Sequence, residues 1–171
     1  MAKRVIIDKK DASRLLLHSA IRLALADNEP IVVHLAAIAA NDVLRSVARA
    51  RGKALAFDID KFIKPEMRSL FWQRFKSLNN FFKHADQDPD ESLDISGICT
   101  FNEIEIAVGC LEYRELFGDS SAHMRAFVAF AMAEYPEIIT TTPGIPEEFT
   151  HVLDQTKGWS RLERMSTMSN R

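Results

Sequence analysis

The sequence predicts an all-α fold, a single-domain bundle of about five to six helices. Apolar residues recur at three- and four-residue spacing through segments of ten to twenty residues. Gly, Pro, Asp, Asn and Ser punctuate those segments at short intervals, and only residues 53–64 alternate in part. The chain has 171 residues, 47% of them hydrophobic and 27% charged, enough for one domain with a full core.

Asp11 is placed to cap a first helix ending near residue 26, with Leu16, Ala20 and Leu23 on one face. Asn28, Glu29 and Pro30 supply a cap, an acid and a first-turn proline for a second helix, which Gly52 stops. Its middle is rich in alanine, which lets neighbours approach closely and predicts the central position in the bundle. Residues 53–64 read as a short strand or as a loop with a helical turn. Pro65 and Glu66 begin a third helix reaching about residue 85, and residues 86–97 read as a surface loop. Thr100 or Asn102 caps a fourth helix closed by Gly118, and residues 119–121 cap a fifth ending near Pro136. Pro146 opens a short sixth helix to about residue 157. The expected division is an N-terminal segment, 1–10, a bundle domain, 11–157, and a tail, 158–171, of frayed helix or disorder.

The third helix sorts sharply at 100° per residue. Met67, Leu70, Phe71, Phe75, Leu78, Phe81, Phe82 and Ala85 share the core face, whereas Trp72, Lys76, Asn79 and Lys83 lie opposite. Gln73, Ser77, Asn80 and His84 form an uncharged stripe along one flank, suited to a helix–helix contact or a small polar pocket. Arg74 falls within the apolar face and requires an acid partner or a route outward. Glu112 and Glu115 of the fourth helix are the expected partners.

A formal net charge of −2 argues against general nucleic-acid binding, but the charge is segregated. Residues 45–83 carry ten Lys/Arg against three acids, and residues 84–120 carry ten acids against one Arg. Such blocks mark either an interaction surface or two segments that neutralise each other in the fold. Two cysteines, Cys99 and Cys110, are too few for a disulfide framework and lack CxxC spacing. The longest apolar stretch, 31–40, is broken by His34 and is too short to span a bilayer, and the N-terminus lacks the pattern of a secretory signal. Cytoplasmic residence with reduced thiols is expected, without a membrane partner.

Candidate chemistry concentrates between residues 78 and 94. His84 ends the aromatic helix and five carboxylates follow. Asp86, Asp88 and Asp90 match the opening spacing of a calcium loop, but Glu91 stands where that loop needs Gly and Gly97 where it needs a bidentate Glu. These three are weak metal candidates, and no metal or other cofactor is expected. His34 shares a helical stripe with Asn41 and Arg45, and antiparallel packing would bring it toward His84 as an acid–base pair. His18, His123 and His151 sit on helices without a supporting arrangement. No Gly-rich phosphate loop, nucleophile elbow or HExxH is present.

The stretch NNFFKHADQDPDE, with HLAAIAANDVLRSV before it, resembles a set of small uncharacterised bacterial all-helical proteins over roughly residues 12–135. More distantly, residues 79–84 resemble the RNxxxH motif of the HEPN superfamily, helical bundles, often dimeric, that include metal-independent ribonucleases of toxin–antitoxin and defence systems. That resemblance implies Asn80 and His84 as catalytic residues. Asn79 stands where the motif has its arginine. The expected function is a homodimeric interaction protein, with Gln73, Arg74, Ser77 and His34 as binding residues. A HEPN-like ribonuclease acting on RNA is the first alternative, and a regulator binding a small ligand or divalent metal the second. A second copy is the expected partner, with another protein or RNA as alternatives.

Overall fold

The computed structural model describes residues 6–26, 29–55, 63–83, 86–87, 89–136, 138, 147–155, 158–161, 163 and 166. Among them are six helices: α1 (Lys9–Leu25), α2 (Pro30–Ala50), α3 (Pro65–Lys83), α4 (Ile98–Phe117), α5 (Ala122–Glu134) and α6 (Glu147–Gln155). The all-α single-domain bundle read from the sequence is the observed fold.

The centre of the bundle is α4, not the alanine-rich α2. Fifteen of its residues are buried, including every one from 101 to 113. It packs against α1, α2 and α5, while α5 also contacts α1 and α6. Alanine content misdirects here because it reports how closely a helix can be approached, not from how many sides. The clearer sign of centrality is apolar residues all round the helix, and residues 98–117 carry it in Ile98, Phe101, Ile104, Ile106, Ala107, Val108, Cys110 and Leu111. Gly109 marks the closest approach. A Cβ there would lie 2.2 Å from Asn41 Oδ1 on α2 and 2.8 Å from Leu17 Cδ2 on α1.

The helix ends follow local chemistry with small shifts. Asp8, rather than Asp11, caps α1 by accepting from the Asp11 N–H at 2.7 Å, so the helix begins inside the expected N-terminal segment. Ser121 caps α5 through the Met124 N–H. The left-handed Gly118 (φ +77°) closes α4, its N–H bonding to Arg114 O at 2.9 Å. The start of α4 departs from expectation: Gly97 is the cap, and Asn102 spends its side chain on α2. Of residues 53–64, 56–62 lie outside the described residues. Ile63 is buried, and the Lys64 N–H donates to Ile138 O at 2.8 Å.

On the outside of the bundle, α3 rests on α4 through aromatic rings. Phe71 stacks on Phe101 with centroids 4.6 Å apart, and Phe75 lies 6.0 Å from the same ring. Two residues depart from the expected faces. Trp72 is half-buried, edge-on to both Phe71 and Phe75, because its ring is long enough to lie back over its own helix. Leu70 is 53% exposed, because the surface it turns toward is an open cleft rather than a packed neighbour.

The two charge blocks meet. Arg45 of the basic block pairs with Glu105 and Glu112 of the acidic block, and Arg74 pairs with Asp94. Within the fold, two cations of the basic block thus meet three acids of the acidic block. Among the described helices, α2 alone is long and apolar enough by composition to cross a bilayer; it carries buried His34 and Asn41, both bonded to α4.

Candidate functional site

The residues singled out by sequence fall into two groups. Gln73, Ser77 and Asn80 are all exposed on α3, so the uncharged stripe is an outer surface, and Leu70, expected on the core face, is exposed at its head and extends it. Its fourth predicted member, His84, lies outside the described residues, as does Asp88. Asp86 and Asp90 are exposed, and no group of three or more His, Cys, Asp or Glu able to hold a metal occurs among the described residues.

Beside the stripe, a cleft of about 320 Å³ opens between α3 and the start of α4. Met67, Phe71, Leu78, Phe101 and Ile104 form its floor, and Leu70 and Ile95, 53% and 39% exposed, stand at its lips. Arg74 also lines the cleft. It does not reach Glu112 or Glu115 but takes Asp94, with both guanidinium nitrogens 3.4 Å from Oδ2 and one 3.2 Å from the backbone oxygen. The reason is position: α3 lies outside the bundle, so Arg74 meets the loop before α4 rather than the buried part of α4. Hydrogen bonds from Ser96, then the nearby Arg74, hold the Asp94 carboxyl below its ordinary pKa.

A polar seam lies inside the protein between α2 and α4, along the predicted stripe His34, Asn41 and Arg45. His34 is 1% exposed, its Nδ1 3.0 Å from Asn102 Oδ1. Because Asn102 Nδ2 already donates to Pro30 O at 2.8 Å, its Oδ1 is the acceptor and the His34 proton sits on Nδ1. Burial, partly opposed by the Asn102 bond, pushes the His34 pKa down. Phe82, near the end of α3, lies 6.3 Å from the His34 ring and Phe101 of α4 lies 5.9 Å from it; His84, the expected acid–base partner, lies outside the described residues.

One turn-pair further along, Asn41 Nδ2 donates to Glu105 Oε2 at 2.7 Å and to Glu105 O at 3.1 Å. Arg45 lies between two buried acids, 4.0 Å from Glu105 Oε2 and 3.4 Å from Glu112 Oε1. One cation thus serves two carboxyl groups, and desolvation dominates: both pKa values are pushed up to about 7. Glu105 Oε1 and Glu112 Oε2 have no hydrogen-bond partner among the described residues. The seam joins α2 to α4 through buried, mutually bonded polar groups.

Two arrangements escaped sequence reasoning. His18 Nε2 lies 2.9 Å from Ser121 Oγ, with the His123 ring 5.9 Å away, so the α5 cap is braced from α1. Burial first, then His123, Arg14 and Arg22, lower the His18 pKa. At the other side of α4, Glu103 is 4% exposed and receives Arg161 at 2.8 Å and the Tyr135 hydroxyl. Both join residues more than thirty positions apart, and no spacing rule reaches that far.

No family model, curated protein or solved structure matches the chain.

Proposed function

We propose that the protein is a helical-bundle interaction protein that forms a homodimer across α3. The observation that carries this reading is the exposed stripe Leu70, Gln73, Ser77 and Asn80. It follows the alternating three- and four-residue spacing of a helix–helix seam and holds no charge. A large apolar side chain 53% exposed at its head, beside an apolar cleft, gives a second copy a knob and a hole on one surface. A two-fold pairing uses the same patch twice, so a short seam is doubled. Its polar members make the association modest, on a micromolar scale.

Light scattering tests this directly. The parent runs as a dimer at tens of micromolar, and Ser77→Asp or Leu70→Glu, both at exposed positions, yields a folded monomer. A parent that stays monomeric at that concentration removes the proposal.

The cleft supports a second reading, as a site for a small apolar ligand. Its 320 Å³ sits at the lower end of ligand pockets and has room for roughly ten non-hydrogen atoms at ~30 Å³ each. Ile104→Phe fills the floor of the cleft and is expected to abolish ligand binding. Unchanged binding of an apolar dye in that variant counts against the cleft.

A further inference from the structure

The bundle carries a ready-made cage for a guanidinium group, and the chain's own C-terminal segment fills it. Arg161 Nη2 lies 2.8 Å from Glu103 Oε1, and Nη1 lies 3.3 Å from Glu103 Oε2. The same Nη1 is 3.6 Å from Glu134 Oε2, and the guanidinium carbon stands 5.0 Å from the Phe130 ring centroid. The Tyr135 hydroxyl donates to Glu103 Oε2 and so fixes the carboxylate that grips the cation. A two-pronged carboxylate, a second carboxylate and an aromatic face make a combination that selects planar guanidinium over a compact ammonium.

Host and occupant differ in character. Glu103 belongs to α4, the buried centre of the bundle, and is 4% exposed; Phe130 of α5 is 2% exposed. Gly158, Trp159, Ser160, Glu163 and Ser166, which flank Arg161, are all exposed. A cavity of about 290 Å³ adjoins the cage, with Arg161 forming one wall and Pro30, Val33, Cys99 and Asn102 others. It offers room for the residue next to an incoming arginine.

We propose that Glu103, Glu134, Tyr135 and Phe130 form an arginine-recognition site for a segment of a partner polypeptide, masked in the free protein by Arg161. The incoming arginine replaces Arg161 contact for contact and releases the C-terminal segment. A tether of this kind holds Arg161 at an effective concentration in the millimolar range. The intact protein therefore hides the site from weak ligands, and removal of Arg161 uncovers it. The inference rests on α4 and α5 and does not depend on pairing through α3.

The test is titration of a capped Gly-Arg-Gly peptide, followed by amide chemical shifts, into the parent, Arg161→Ala and Arg161→Ala/Glu103→Gln. The peptide is expected to bind Arg161→Ala at least ~10-fold more tightly than the parent, with shifts centred on residues 103 and 130–135. A Gly-Lys-Gly control binds more weakly, and the double variant loses binding. If a folded Arg161→Ala binds the arginine peptide no better than the parent or the double variant, the contact is only a latch and the proposal fails. Should Arg161→Ala not fold, Arg161→Lys takes its place. It keeps the charge and loses the fork, so the peptide must displace it more readily than it displaces arginine; equal affinity overturns the proposal.

Discussion

Gly109→Ala is the sharpest test of the packing that positions the buried polar seam. On an isolated helix the change is favourable, since Ala exceeds Gly in helix propensity by about 1 kcal/mol. In the bundle the new Cβ would meet Asn41 Oδ1 at 2.2 Å and Leu17 Cδ2 at 2.8 Å, distances that real contacts do not reach. Overpacking of this kind costs about 1–3 kcal/mol. Asn41 cannot retreat freely, because its amide holds Glu105, and losing a hydrogen bond to a charged or strongly polar carboxyl costs a further 1.5–3 kcal/mol, roughly. Set against the propensity gain, the net is a destabilisation of about 1.5–5 kcal/mol. For a chain of this length that is a fall in melting temperature of roughly 3–20 °C. Urea denaturation followed by circular dichroism measures it. The double variant Gly109→Ala/Asn41→Ala relieves the clash with Asn41, so it falls short of the sum of the two single effects. A neutral or stabilised Gly109→Ala would refute the close approach of α2 to α4.

The remaining predictions concern titration and chemistry. Burial pushes the Glu105 and Glu112 carboxyls from their ordinary pKa of 4.5 up to about 7, so their protonated forms favour folding. That contribution is complete below pH 4.5 and is lost as pH rises through 7, a loss of roughly 3 kcal/mol for one such group on its own. Glu105→Gln is expected to flatten the slope of stability between pH 4.5 and 7, and an unchanged slope would place the proton elsewhere. His34 works in the opposite sense: its lowered pKa gives stability that is full above pH 6.5 and lost as pH falls through the folded value. In an NMR titration its ring protons are expected to stay in the neutral position at pH 6, whereas a midpoint at 6.5 contradicts the burial. Incubation with RNA in EDTA is expected to leave the RNA intact for the parent and for His84→Ala alike, and cleavage by the parent alone would favour the ribonuclease reading over the binding one.

The helices were legible because their signals are local. Pro30, Pro65, Gly52 and Gly118 mark ends that the structure keeps, within a residue or two, and the 3.6-residue period puts Phe71 and Leu78 inside. The stripe Gln73, Ser77 and Asn80 was legible for the same reason. The partners of charges were not. Arg74 shares a helical face with apolar residues, which signals that it needs an acid, but which acid depends on where α3 lies in space. The position of α3 at the edge sends Arg74 to Asp94 and leaves Glu112 to Arg45. Leu70 shows the same limit from the apolar side: periodicity defines a face, and only the neighbour decides whether that face is covered.

The buried acids of α4 show how a charged sequence can make a core helix. Glu105 and Glu112 are seven residues apart, which returns them to the same face two turns on, and both look to Arg45 of α2. Glu103 is two residues before Glu105, about 200° round the helix, and looks the other way to Arg161. The mean hydropathy of such a segment understates its burial, because each acid enters the core with its partner supplied from a different element. The two faces are not equivalent. On the α2 face one guanidinium is divided between two carboxyls, so a proton is retained and the seam answers to pH. On the C-terminal face Arg161 is also shared, between Glu103 and Glu134, but it is more exposed than Arg45 and the Tyr135 hydroxyl adds a donor to Glu103. That imbalance assigns pH sensitivity to the α2–α4 interface and leaves the Arg161 cage free to respond to a competing cation.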